Sequence, residues 1–231
     1  MSWLICGTVP DDAFPLCMGR WRVNGDMLEP ERMIFCEGGD RPDAVPVLRG
    51  TPALVAAAVL AAERLGAEAP EVLLVGDQGT SEGSLRLYAH LASWLQSPES
   101  NSLEGLTFHY LFPSVDGHNR ILMALEERKS GMPVLIADAG FMYVAKMSGY
   151  ADAYDLFTPD AGELAFLADE KAPHPFYTRG FLLAADEDIP SLVERAYQHG
   201  NAARFLLIKG KVDHLVEGGR FLGDVSEPQV A

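Results

Sequence analysis

The sequence predicts an α/β protein, a three-layer α/β/α arrangement around a mostly parallel central sheet. Three observations carry this. Short continuous apolar runs recur along the chain, among them Glu71 to Val75, Val134 to Ala137 and Phe205 to Ile208. Stretches with helical spacing separate them. A small, polar or charged residue follows each run, at Gly76-Asp77, Pro113-Ser114, Asp138, Thr158-Asp160 and Lys209-Gly210. Strands that are apolar throughout are buried on both faces, as in a parallel sheet covered by helices.

Taken in order, the first 48 residues are the least periodic. Apolar pieces at Trp3 to Ile5 and Met33 to Cys36 are broken by Gly25, Gly38-Gly39 and several prolines. That pattern predicts strands and turns, a β-rich extension over 1–48 packed on a core spanning 49–231. Thr51 can cap a helix with Pro52 at its first position, and the helix runs to Gly66. The strand at Glu71 to Val75 is followed by a loop and a helix with Leu85, Leu87, Leu91 and Leu95 on helical spacing. Leu106 to Phe112 reads as a strand and Val115 to Lys129 as a helix. After the strand at Val134 to Ala137, Phe141 to Met147 reads as a helix with Lys146 exposed and Met147 in the core. Ala153 to Phe157 is a strand and a helix starts near Glu163. A proline-rich excursion follows, then a helix at Pro190 to Gly200, a strand at Phe205 to Ile208, and a hairpin around Gly218-Gly219.

With 231 residues and 48% hydrophobic content, the chain can bury a substantial core. Thirty-three acidic against 18 basic residues, with no Lys/Arg run, leave no footprint for a nucleic-acid partner. The longest apolar stretch, Ala53 to Ala62, is too short to span a bilayer, and the start lacks the features of a signal peptide. No membrane association is expected. Cys6, Cys17 and Cys36 lack metal-site spacing, and their odd number predicts reduced thiols in a cytoplasmic protein.

In doubly wound α/β folds, ligands bind outside the carboxyl ends of the strands. Residues 76–84, GDQGTSEGS, either present backbone N–H groups to an anion around Gly79 and Thr80 or form a plain turn. The segment is neither a Walker A loop nor a dinucleotide fingerprint. Asp138 either orients a substrate hydroxyl, holds Mg²⁺ through water or acts as a base, or it caps the following helix. Lys209-Gly210 either approaches a phosphate or closes a surface turn. The excursion at 173–180, PHPFYTRG, is either a lid over a ring-bearing ligand or a packed loop. Asp160 and Glu163 have capping-box spacing after the extended entry that Pro159 enforces.

A strand ending DAG at 138–140, a strand ending TPDAGEL at 158–164 and a strand ending IKG at 208–210 before a small hairpin resemble the ribokinase-like superfamily. Within it, the pieces are most similar to the ATP/ADP-dependent NAD(P)H-hydrate dehydratases, and the segment from Arg49 to Gly66 resembles their Ala-rich first helix. The resemblance spans roughly 49–230. It implies a nucleotide, ATP or ADP with Mg²⁺, along the carboxyl edge of the sheet, and phosphorylation of the hydrated nicotinamide followed by phosphate elimination. It places Asp138 by the substrate as the catalytic candidate, Thr158, Asp160 and Glu163 at the centre of the substrate site, and Lys209 and Gly210 by the nucleotide phosphates; the loop reading adds Gly79 and Thr80 as substrate-binding candidates. A small-molecule kinase for a sugar or vitamin, or a non-catalytic nucleotide-binding protein, are the other functions it admits. It also implies a homo-oligomer. The chain departs from the family at DAG for D-A-D and at TPD for T-P-H. The family's G-T-G-D loop, with its catalytic Asp, is expected after the hairpin, where this chain reads SEPQVA. The expectation is therefore that these 231 residues lack the C-terminal helical segment and do not perform phosphoryl transfer by the family's mechanism.

Overall fold

The computed structural model describes residues 2–171 and 188–226, and the excursion at 173–180 lies outside them. Two compact units, Met1–Val134 and Leu135–Ala231, divide the chain.

The first unit contains six strands: β1 (Ser2–Val9), β2 (Cys17–Asn24), β3 (Met27–Cys36), β4 (Val45–Pro46), β5 (Glu71–Gly76) and β6 (Leu103–His109). Their order is β6-β1-β5-β2-β3-β4. β1 runs parallel to both neighbours, and β2, β3 and β4 continue the sheet in antiparallel fashion. Ser2–Val9 is therefore a central strand of this unit, although the local pattern places it in a peripheral extension. Its residues Leu4 to Val9 are buried, which only pairing on both edges and cover on both faces produces.

Three helices accompany these strands: α1 (Gly50–Leu65), α2 (Glu82–Leu95) and α3 (Val115–Glu126). α1 buries Val55, Ala56, Val59 and Ala62 and ends at Gly66 in the left-handed conformation, φ 63°. Burying each valine contributes about 1.5–3 kcal/mol, and these contacts hold a helix whose start lacks a side-chain cap. Thr51 is not that cap. It lies inside the helix, and its hydroxyl sits 2.9 Å from His109 Nδ1. Gly7 permits this packing, because a Cβ there would come within 2.5 Å of the His109 carbonyl and the Thr51 side chain. In α3, Ser114 accepts from the Gly117 N–H and serves as the cap.

Cys17 and Cys36 correct the expectation of three reduced thiols. They stand directly opposite in the β2–β3 ladder, with Cα atoms 4.2 Å apart, and form a disulfide. A pairing register is a tertiary property, so their separation in sequence could not show it. Cys6 remains a buried free thiol.

The second unit holds β7 (Val134–Asp138), β8 (Leu156–Phe157), β9 (Phe205–Ile208), β10 (Asp213–Glu217) and β11 (Arg220–Val225), in that spatial order. β7, β8 and β9 are parallel, and β10 and β11 add an antiparallel hairpin. α4 (Gly140–Met147), α5 (Ala161–Ala168) and α6 (Ile189–Gln198) complete its described elements. Phe141, Tyr154 and Phe157 form its aromatic centre, with ring centroids 6.2 Å apart for the first pair and 5.3 Å for the second. Both units are thus mixed α/β structures with parallel strands.

Candidate functional site

Three parallel strands of the second unit end side by side, and charged side chains follow those ends. β7 ends on Asp138. β8 is followed by Thr158-Pro159-Asp160, and β9 by Lys209-Gly210. The Lys209 N–H donates to the Pro159 carbonyl at 2.8 Å, and Asp160 and Lys209 form a parallel bridge that extends the β8–β9 pairing beyond Phe157. This pairing sets the Lys209 side chain so that its ammonium donates to Asp138 Oδ1 at 2.9 Å, joining the ends of β7 and β9. Both partners reach solvent, with side-chain exposures of 44% and 19%. The pair accordingly contributes at most about 1 kcal/mol to stability. Burial disfavours the Lys209 ammonium, but the hydrogen bond and field of Asp138, with Glu163 and Asp160 adding, raise its pKa overall. Lys209 is therefore a permanent cation.

Asp160 caps α5 as its spacing predicts. Its carboxylate accepts from the Glu163 N–H, and Glu163 Oε2 accepts from the Asp160 N–H, both at 2.8 Å. This box holds Glu163 among like charges. Burial is the largest cause in moving its pKa from 4.5 to about 7; Asp160 and Asp138 push the same way, against the pull of the Asp160 N–H and the Lys209 ammonium. Glu163 is consequently poised to exchange a proton near neutrality. After β8, the Thr158 hydroxyl oxygen is buried without a hydrogen-bond partner among the described residues. Gly210 donates its N–H to Asp213 Oδ1 at 2.9 Å, which shapes the turn into β10.

Sequence reasoning missed two features of this unit. Ala139, directly after Asp138, has φ 53° and ψ −136°, a conformation that costs a non-glycine residue about 1–3 kcal/mol. Strain of this kind gathers at functional turns, but an alanine gives no sign of it in the sequence. Lys146 is not exposed as its helical position suggests. It is buried, donates to the Phe166 and Asp169 carbonyls at the end of α5, and lies 3.9 Å from the centre of the Phe166 ring. Burial lowers its pKa to about 8, with Asp169 opposing. Met147, expected in the core, is only partly buried.

Gly79 and Thr80 lie in the first unit, in the loop between β5 and α2, and there the anion is internal. Asp77 is 8% exposed, and its carboxylate accepts from the N–H groups of Gly79, Ser81 and Ser84 at 2.8, 3.2 and 2.9 Å and from the Ser84 hydroxyl at 2.6 Å. Gln78 donates to Asp12 at 2.8 Å. Burial alone would raise the Asp77 pKa, but these donors outweigh it and hold the carboxyl below its ordinary range. Four of the loop's N–H groups, those of Gln78, Gly79, Ser81 and Ser84, are thus engaged by the protein's own carboxylates.

No group of three His, Cys, Asp or Glu side chains placed to hold a metal ion occurs among the described residues. Lys209, in contrast, suits a phosphate group. Fold and site together define an α/β protein with a charged cluster at the carboxyl ends of parallel strands. No protein-family model matches the chain. It is similar to an uncharacterized protein of Methanocaldococcus jannaschii, at 35% identity over 161 residues. That alignment covers 69% of this chain and 63% of the archaeal protein's length. No described helix is long and apolar enough to cross a membrane.

Proposed function

We propose that the ends of β7, β8 and β9 bind the phosphates of ATP or ADP, and that the protein is a nucleotide-dependent enzyme of the NAD(P)H-hydrate dehydratase type in a ribokinase-like, three-layer fold. The observation that carries this reading is the Lys209–Asp138 pair, which sets one permanent cation at the strand ends, within the field of the ionisable Glu163. A phosphate would take the ammonium's remaining donors, and Asp138 would hold the lysine in place while the substrate binds alongside. Strand-end groups supply the positioning and charge compensation that phosphoryl transfer asks of a protein. Without the aspartate of the family's G-T-G-D loop, these 231 residues are expected to bind the nucleotide rather than turn it over by the family's mechanism.

Calorimetry with ADP and ATP tests the binding. The wild type should bind, and Lys209→Met should weaken binding by at least about tenfold, the loss expected for one charge-assisted phosphate contact. No binding by the wild type would refute the reading. Incubation with hydrated NADH and ADP then separates the functions. A dehydratase restores the absorbance of NADH, a kinase consumes ATP only with its own alcohol, and a non-catalytic binder does neither.

A further inference from the structure

The charge balance of the strand-end cluster has a consequence for any anion that binds there. Asp138, Asp160 and Glu163 supply three carboxyl groups around one ammonium, that of Lys209. With all three ionised, the cluster is negative and repels the phosphate that Lys209 would hold. The charges acting on Glu163 come from Asp160 at its own helix cap, Lys209 beyond β9 and Asp138 at the end of β7. Lys146 of α4 engages the opposite end of α5 through the Phe166 and Asp169 carbonyls. α6, packed on α5, turns Leu192, Val193 and Ala196 inward and Glu194 outward. Asp138 is committed to the ammonium, and Asp160 accepts a backbone N–H as the helix cap. Glu163 is the carboxyl whose neutral form fits its surroundings. Its bond to the Asp160 N–H is also kept on protonation, because one oxygen suffices to accept it.

We propose that Lys209 holds an anionic ligand with concomitant uptake of a proton by Glu163, so that nucleotide binding at this site is proton-linked. The proton comes from solvent and resides on the Glu163 carboxyl; no covalent bond to the ligand is involved. The inference rests on the nucleotide reading above. It adds that the site favours its ligand at mildly acidic pH, with affinity falling by up to about tenfold per pH unit above neutrality.

The test is calorimetric titration with ADP at pH 8, in buffers of differing ionisation enthalpy. Terminal phosphates are fully ionised well above about pH 6, so the ligand itself takes up little proton. The wild type should absorb on the order of half a proton per ADP bound. Glu163→Gln, neutral throughout and still able to complete the capping box, should bind ADP without uptake and without the fall in affinity between pH 7 and pH 9. Binding without proton uptake by the wild type, or equal uptake by both proteins, overturns the inference and leaves the nucleotide reading intact. If neither protein binds ADP at any pH, the nucleotide reading fails, and this inference with it. Circular dichroism of the variant verifies that its fold is retained.

Discussion

Glu163 makes the stability of the free protein depend on pH in a way that can be calculated. Its carboxyl has a pKa of about 7 in the folded state against 4.5 for an unperturbed group. Between those values the unfolded chain releases the proton while the folded protein retains it. Stability therefore falls as the pH rises from 4.5 to 7 and is level on either side. At about 1.4 kcal/mol per pKa unit, the ceiling on this loss is about 3 kcal/mol. Other groups titrate in the same window, so the measurement is a difference. Urea unfolding of the wild type and Glu163→Gln would be followed from pH 4.5 to pH 8. The variant keeps the capping box and removes the titration, so the wild type should lose stability relative to it across the window. Lys209 favours the ionised form of Glu163, so Lys209→Met should carry the upper end of the loss above pH 7. Parallel stability curves for wild type and Glu163→Gln would refute the placement of Glu163 in this half-buried, acidic environment.

Other outcomes follow from single contacts. Lys146→Met leaves the Phe166 and Asp169 carbonyls without their donor and should destabilise the protein by about 2–4 kcal/mol in urea unfolding. Asp77→Ala strips four donors of their acceptor and should cost about 3 kcal/mol. Because the Asp77 pKa is lowered, the wild-type advantage should disappear as the pH falls through that lowered value. Ala139→Gly relieves a positive φ and should raise stability by about 1 kcal/mol, a gain readable as a higher urea midpoint. Alkylation of the denatured protein should modify one thiol before reduction and three after it, since Cys17 and Cys36 are bonded.

Much of the local structure was legible because its causes lie within a few residues. The capping box at Asp160 and Glu163 needs only the spacing of a carboxylate and an N3 glutamate, and it formed as that spacing predicts. The end of α1 at Gly66 needs only a residue tolerant of positive φ. The apolar runs at 71–75, 134–137 and 205–208 became β5, β7 and β9, because a short stretch apolar on both faces has few other places to go. The run at 153–157 kept only Leu156 and Phe157 as a strand; Ala151 to Ala153 form a short 3-10 turn instead, a choice made by neighbouring contacts.

The sequence by itself determined the α/β class, the order of most elements, and the presence of polar and charged residues at the strand ends. Periodicity, turn residues and caps encode these properties over short range. Only the tertiary structure decided which of those residues meet. It set Lys209 on Asp138, 71 positions away along the chain. It committed the loop after β5 to the internal carboxylate of Asp77, buried Lys146 against the end of α5, and placed β1 between β5 and β6. Each outcome depends on strand register or on packing between distant segments. Free energies of that kind belong to pairs of segments brought together by folding, and neither segment's residues carry them alone.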